Sequence, residues 1–158
     1  MSRRCRKPFE VEAPLGSKLD AALAHWQRLL RGNAAMPFAD DLILKPVEDL
    51  AADVFTLEVF ERPERFRVDT ARTPHAPVVE REFPGLFVDE LDRCSPLEFL
   101  RSQASATVEA MAPTFYEHAP KPGAPGYRRL LMPFWEMGHV SRLLGVVDFE
   151  ADAASTLK

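Results

Sequence analysis

The sequence has few of the features that mark secreted disulfide-bonded proteins and membrane proteins. It has two cysteines among 158 residues, Cys5 and Cys94, so we expect reduced thiols and a cytoplasmic location. No apolar run is long enough to span a bilayer, and no hydrophobic segment follows the basic N-terminus as in a signal peptide. We therefore expect no membrane insertion.

Charge of one sign is also not in large excess. A formal net charge of −4 gives no general attraction to nucleic acid, which we do not expect as a partner. A short basic run at the N-terminus is the local exception, and either a solvated tail or a weak anionic contact would account for it. This run consists of Arg3, Arg4, Arg6 and Lys7.

Histidine and cysteine spacings predict neither a metal site nor an activated nucleophile. The four histidines are scattered, and no HxH, HExxH or CxxC pattern exists. Nothing in the sequence activates Cys94, so we interpret it as a structural or bystander thiol. The prolines around Gly123 and Gly126 lack amide donors, which argues against a phosphate-binding loop. No catalytic residue is predicted.

The first third of the chain predicts one amphipathic helix over residues 17–32. Ser17 suits the N-cap, and Gly32 provides the stop. Between them apolar residues recur at helical spacing: Leu19, Ala22, Leu23, Trp26, Leu29 and Leu30. Residues 1–16 are predicted to be a flexible lead, although Phe9, Val11 and Leu15 could dock, and residues 151–158 to be a disordered tail.

Alternating apolar and polar residues predict five strands. They cover residues 54–60, 65–70, 114–118, 126–136 and 140–149. Short helical pieces are expected at 46–50 and 73–94. A longer helix should begin at Ser95, with Pro96 at its first position and Glu98 completing a capping box. The last two strands form a hairpin through a three-residue connection, Met137 to His139.

This order of elements predicts one α+β domain over residues 17–150. It contains a five-stranded antiparallel sheet with helices on one face, and an extra N-terminal helix. The order is that of PAS domains, and the residues resemble a bacterial family of stand-alone PAS domains. The matches span residues 18–149: a tryptophan-containing helix, Met36-Pro37, Arg65 to Val68, Pro84-Gly85, Tyr127 to Phe134, and Leu143 to Val146.

The resemblance implies a non-catalytic signalling module that acts through protein–protein interaction, with a small-molecule ligand between sheet and helices. The ligand-pocket residues it suggests are Phe66, Val68, His75, Phe115, Tyr127, Arg129 and Leu131. Filled core is the alternative interpretation of the aromatic residues. The cofactor is unknown: haem through His75 and flavin through Cys94 are not favoured by the residues around them. Because Arg128 and Arg129 must lie on opposite faces, one faces the helices and could pair with a carboxylate such as Glu117.

The apolar side of the N-terminal helix predicts one of two contacts. Leu19, Leu23, Trp26 and Leu30 either cover the protein's own sheet or pair with a second copy. We expect a homodimer and a signalling protein partner. The alternative function is a ligand-binding protein or a small α+β cone-type enzyme that brings His and Asp together to move protons. Two strands ahead of the principal helix argue against the cone topology. Asp40, Asp41 and Asp53 are interpreted as cap and turn residues.

Overall fold

The computed structural model describes residues 9–12, 15–91 and 95–150 of the chain. The helices there are α1 Ser17–Arg28, α2 Lys45–Glu48, α3 Pro77–Glu82 and α4 Leu100–Ala110, with short 3-10 helices at Ala39–Asp41 and Val88–Glu90. The strands are β1 Asp53–Phe60, β2 Arg65–Arg72, β3 Thr114–His118, β4 Tyr127–Glu136 and β5 His139–Phe149. The predictions for Cys5, Cys94, the basic run and the tail 151–158 lie outside the described residues.

The five strands form one antiparallel sheet in the order β2–β1–β5–β4–β3. The predicted α+β architecture is confirmed. The first and last strands of the chain lie side by side in the centre, and the edges are β2 and β3. Val68 of β2 exchanges backbone hydrogen bonds with Gly85 and Leu86, and the amide of Phe115 in β3 donates to the carbonyl of Phe9. Both edges therefore carry a segment of their own chain.

Cross-strand pairing divides the side chains of the sheet between two faces. Arg129 pairs with Tyr116 and Val147 and lies on the face that α4 covers, where Gln103 contacts it. The neighbouring Arg128 lies on the opposite face. There its guanidinium donates to the carbonyl of Leu15, just ahead of α1. Helix α1 contacts β4 and β5, so it is the cover of this second face and the sheet is enclosed between two layers.

Helix α1 covers the protein's own sheet, which is the first of the two predicted alternatives. Leu19 is fully buried and Trp26 is 5% exposed. The indole nitrogen of Trp26 donates to the carbonyl of Pro133 at 2.9 Å. Leu23 and Leu30 are half-buried against the same core. Leu19 and Trp26 are therefore not available to a second copy.

The boundaries of α1 differ from the prediction at both ends. Gly16, with a φ of 100°, is the N-cap, and Ser17 is the first helical residue. The helix ends at Arg28, ahead of the predicted stop at Gly32. Part of the predicted flexible lead is also packed: Leu15 is buried, and the Phe9 ring lies 6.1 Å from the ring of Tyr116. Apolar burial holds these residues against the domain.

The predicted start of α4 at Ser95 is wrong, since the helix begins at Leu100. The guanidinium of Arg129 takes the carbonyls of Pro96 and Glu98 as acceptors, and a helix through these residues would need the same carbonyls. Phe99 has a φ of 59°, a left-handed conformation that separates this turn from the helix. A tertiary contact therefore overrides a favourable local capping sequence.

The β4–β5 hairpin closes through two residues instead of three. Glu136 pairs with His139, which leaves Met137 and Gly138 as the turn. Both turn residues have positive φ, 51° and 83°, as a primed hairpin turn requires. His139 therefore belongs to β5.

We expect Trp26→Ala to lower the free energy of unfolding by about 3 to 5 kcal/mol, because it removes a large buried side chain between α1 and the sheet. Trp26→Phe should cost less, because it keeps most of the apolar contact and loses the hydrogen bond to Pro133. Urea unfolding followed by circular dichroism measures both. The exposed neighbour is the control, and Gln27→Ala should stay within about 0.5 kcal/mol of wild type. A Trp26→Ala variant as stable as that control would contradict the burial of α1.

Candidate functional site

Arg129 is the largest fully buried side chain of the described structure. Its Nε donates to Oε1 of Gln103 at 2.7 Å, and its two terminal nitrogens donate to the carbonyls of Pro96 and Glu98, each at 2.9 Å. Gln103 returns a hydrogen bond from Nε2 to the carbonyl of Arg129 at 3.2 Å. One side chain of the sheet thus fixes both α4 and the turn before it.

The hydrogen bonds of Arg129 end on neutral oxygens. Burial lowers the pKa of Arg129 to about 10, although Tyr127, Tyr116 and Glu98 oppose the decrease. The guanidinium therefore remains charged at neutral pH. Its carbon lies 4.9 Å from the centre of the Tyr116 ring, a cation–π contact that partly replaces the lost hydration. Glu117, the predicted carboxylate partner, pairs instead with Arg128 at 3.1 Å on the other face.

A second set of polar side chains surrounds the carboxylate of Glu98. The Tyr127 hydroxyl donates to its Oε2 at 3.1 Å, and Nε2 of His118 lies 3.3 Å from the same oxygen. The Tyr116 hydroxyl lies 2.9 Å from Nδ1 of His118. Burial raises the pKa of the Tyr127 phenol well above its ordinary value, so it stays a donor at neutral pH.

The other oxygen of Glu98 is the exception in this network. Its Oε1 is buried and has no hydrogen-bond partner. A buried carboxylate oxygen without a donor carries a desolvation cost of about 1 to 3 kcal/mol or more. We define the Arg129 cluster as Arg129, Gln103, Glu98, Tyr127, His118 and Tyr116. It presents one unmatched acceptor, to which the N–H or O–H group of a small polar molecule could donate.

A buried carboxylate and a histidine meet on the same face of the sheet. Asp53 opens β1 and is fully buried, and its Oδ1 accepts from the backbone nitrogen of His75 at 3.0 Å and from Nδ1 at 2.8 Å. Oδ2 is buried without a hydrogen-bond partner. Burial raises the pKa of Asp53 above its ordinary value, although the hydrogen bonds from His75 oppose the rise. Asp53 was predicted to be a cap or turn residue, but it begins β1 and its buried carboxyl group is hydrogen-bonded to His75.

A row of aromatic rings connects this pair with the Arg129 cluster. The ring of His75 lies 6.0 Å from that of Phe149, which lies 5.9 Å from Tyr127. Tyr127 in turn stacks on His118 at 4.8 Å. The two polar groups thus occupy one end of one sheet face, with packed rings between them.

Five of the seven predicted pocket residues share this face and are buried: Phe66, Val68, Tyr127, Arg129 and Leu131. His75 lies in the loop after β2, and its side chain is 51% exposed. The prediction for Phe115 is wrong, because its pairing with Leu130 places it on the face toward α1. Glu98, Gln103 and Asp53 are not predicted as site residues, since no local motif connects them to partners more than 20 positions away.

Two surface pockets lie away from the predicted pocket residues. One, of about 950 Å³, is a groove between the outer side of α4 and residues 9–11. The other, of about 360 Å³, lies on the α1 side and is lined by Thr56, Asp69 and Arg142 among others. Asp69 and Arg142 form an ion pair within it. The groove beside α4 is the larger of the two.

In the part of the chain that the structure describes, no three His, Cys, Asp or Glu side chains lie close enough together to hold a metal ion. None of the helices in this part of the chain is both long and apolar enough to cross a membrane.

The fold and the Arg129 cluster define an α+β protein whose antiparallel sheet is covered on both faces and carries a buried cationic centre. Comparison with protein-family models, curated proteins and solved structures found no match to the chain. Membership of the PAS family therefore stays a prediction from the sequence.

We expect Arg129→Met to lower the free energy of unfolding by about 3 kcal/mol or more, because it leaves two buried oxygens and one partly buried oxygen without their donor. Arg128→Met is the matched control on the opposite face and should cost about 1 to 2 kcal/mol, because it loses a partly exposed ion pair with Glu117 and one hydrogen bond to the carbonyl of Leu15. Urea unfolding compares the two. Equal losses would show that Arg129 does not organise the helical layer.

Because the pKa of Asp53 is raised, the difference in free energy of unfolding between wild type and Asp53→Asn should depend on pH. A carboxyl group whose pKa is raised by folding stabilises the folded protein below its unfolded pKa of about 4. This stabilisation is lost as the pH rises through the pKa of the folded state. Asparagine keeps an acceptor for His75 and does not ionise. The stability of Asp53→Asn relative to wild type should therefore increase from pH 4 to pH 7, as measured by urea unfolding. A constant or decreasing difference would contradict the raised pKa.

Proposed function

We propose that the protein is a PAS-like signalling module without catalysis of its own. It acts by binding a protein partner, in the first place a second copy of itself, and it takes a small polar molecule at the Arg129 cluster. The observation that carries the proposal is the unpartnered Oε1 of Glu98 beside a buried guanidinium. Natural buried polar groups almost always have partners, so such an oxygen supports a hydrogen bond from a bound molecule at this position.

The order of the elements supports the signalling class. Two strands are followed by short helices and α4, and three strands then return so that β5 lies beside β1. This is the order that the PAS resemblance implies. Because one fold serves many functions, the class is supported further by the site, which holds polar groups without an activated nucleophile.

The contacts of Glu98 and Arg129 suggest how a ligand would act on the rest of the molecule. Both residues hold the turn that precedes α4, through the Tyr127 hydroxyl and the carbonyls of Pro96 and Glu98. A molecule that donates to Glu98 competes with or adds to these contacts. Its differential affinity for two arrangements of the turn would shift their populations and change the surface of α4.

Native mass spectrometry of the purified protein, compared with its denatured mass, tests the ligand. We expect an additional mass that is lost on denaturation and that is reduced in Glu98→Gln. Glu117→Gln, on the opposite face of β3, is the matched control and should retain it. A native mass equal to a whole multiple of the polypeptide mass would contradict the proposal that a ligand is bound. Light scattering tests the partner separately, and a monomer at all concentrations would overturn self-association.

The Asp53–His75 pair favours a second candidate function, the proton-transferring enzyme. With Nδ1 hydrogen-bonded to a buried carboxylate, the other ring nitrogen of a half-exposed histidine is oriented as a general base. Hydrolysis of a p-nitrophenyl ester tests this function. An enzyme would show saturation with substrate and loss of the rate in His75→Gln, with the rate retained in His139→Gln. A non-saturating rate unchanged in His75→Gln would exclude ester hydrolysis through this pair.

A further inference from the structure

The outer side of α4 has an unusual composition for a solvent-facing helix. The six residues that line the groove from this helix are Arg101, Ser102, Ser105, Ala106, Glu109 and Ala110. Exposed helix faces generally carry long polar and charged side chains, whereas four of these six are serine or alanine. Small residues leave the backbone accessible, so another element can approach α4 closely.

Large apolar side chains are exposed at both ends of the same helix. Phe99, directly before α4, is 57% exposed, and Met111, directly after it, is 47% exposed. Both have positive φ and so lie outside the helical repeat. Neither residue lines the groove, and the Phe99 ring lies 5.9 Å from that of Tyr116, so the two apolar side chains mark the ends of α4 beyond the small residues.

The positive and negative side chains on this surface are placed so that two copies of the helix, related by a two-fold axis, would bring opposite charges together. Arg101 and Glu109 are each four residues from Ser105, so they lie on one ridge about 12 Å apart. A two-fold axis through Ser105 brings Arg101 of one copy opposite Glu109 of the other, and Phe99 opposite Met111. Arg101 also interacts within its own chain, and the five N–H donors of a guanidinium allow a second contact.

Some other surfaces suited to self-association are already occupied by the chain itself, although apolar side chains are also exposed at Phe38, Ile43, Phe60, Val78 and Leu86. Leu19 and Trp26 of α1 are buried against the sheet. The edge strands carry covering segments at Val68 and Phe115. The exposed apolar tip at Met137 is a single residue in a turn. The groove beside α4 is the larger of the two surface pockets described above.

We infer that α4 is the self-association surface of this protein and that it pairs with α4 of a second copy in antiparallel orientation about Ser105. This inference rests on the proposed function, self-association, and identifies the surface through which two copies would associate. An 11-residue helix is about 16 Å long, so the helix pair alone buries less than the roughly 1,200 Å² of a standard interface. Residues 9–11, which line the same groove, add to it. We therefore expect a reversible dimer with a dissociation constant in the micromolar range.

Disulfide crosslinking at the proposed axis is the first test. In a background of Cys5→Ser and Cys94→Ser, Ser105→Cys should form a disulfide dimer on mild oxidation, because the two copies of residue 105 face each other. Ser17→Cys is the matched control, since Ser17 is exposed at the start of α1 on the other side of the sheet. Non-reducing electrophoresis measures the fraction crosslinked. Equal fractions in the two variants would overturn the inferred surface.

Charge reversal is the second test and needs no cysteine. Arg101→Glu and Glu109→Arg should each weaken the dimer about tenfold by placing like charges opposite one another, and the double variant should restore it. Light scattering over a concentration series measures the masses, and circular dichroism confirms the fold. A dimer that none of these variants changes would overturn the α4 surface and leave self-association standing. A wild type that is monomeric at all concentrations would overturn both.

Discussion

The buried charge of Arg129 is the constraint on which the helical side of the structure depends. A guanidinium removed from water must have its N–H groups matched by oxygens. Gln103 of α4 and the carbonyls of Pro96 and Glu98 supply them, so the start of α4 and the turn before it are fixed relative to β4. The aromatic rings and the carboxylate of Glu98 complete the surroundings. The same residues that hold the layers together thus form the candidate binding site.

The opposite face of the sheet depends on α1. Apolar side chains of the central strands require a cover, and Leu19 and Trp26 provide it from within the chain. This intramolecular contact removes the apolar side of α1 from the surfaces open to a partner. By its pattern alone, this amphipathic helix could pack on the protein's own sheet or on a second copy, and it packs on the sheet. Covering its own chain needs no second molecule and therefore loses no translational freedom.

Local patterns predicted most of the secondary structure because they reflect local physics. Alternation in Val54 to Phe60 correctly predicted β1, although residues on both sides of this strand are buried. The strand β3 was predicted with the bounds that it has. Ser95-Pro96 failed as a helix start because Arg129, more than 30 positions away, takes the carbonyls that the helix needs. Phe115 failed as a pocket residue because only the register of β3 against β4 decides its face.

By itself the sequence determined the elements, their order and the absence of a local metal or phosphate motif, since these depend on neighbours in the chain. The alternation of adjacent strand residues also predicted that one of Arg128 and Arg129 faces the helices, but not which one. Only the tertiary structure brought Glu98 to Tyr127 and Asp53 to His75, and only it placed α1 on the sheet and formed a groove beside α4 among the described residues. These contacts join residues more than 20 positions apart, and strand register and layer packing decide them.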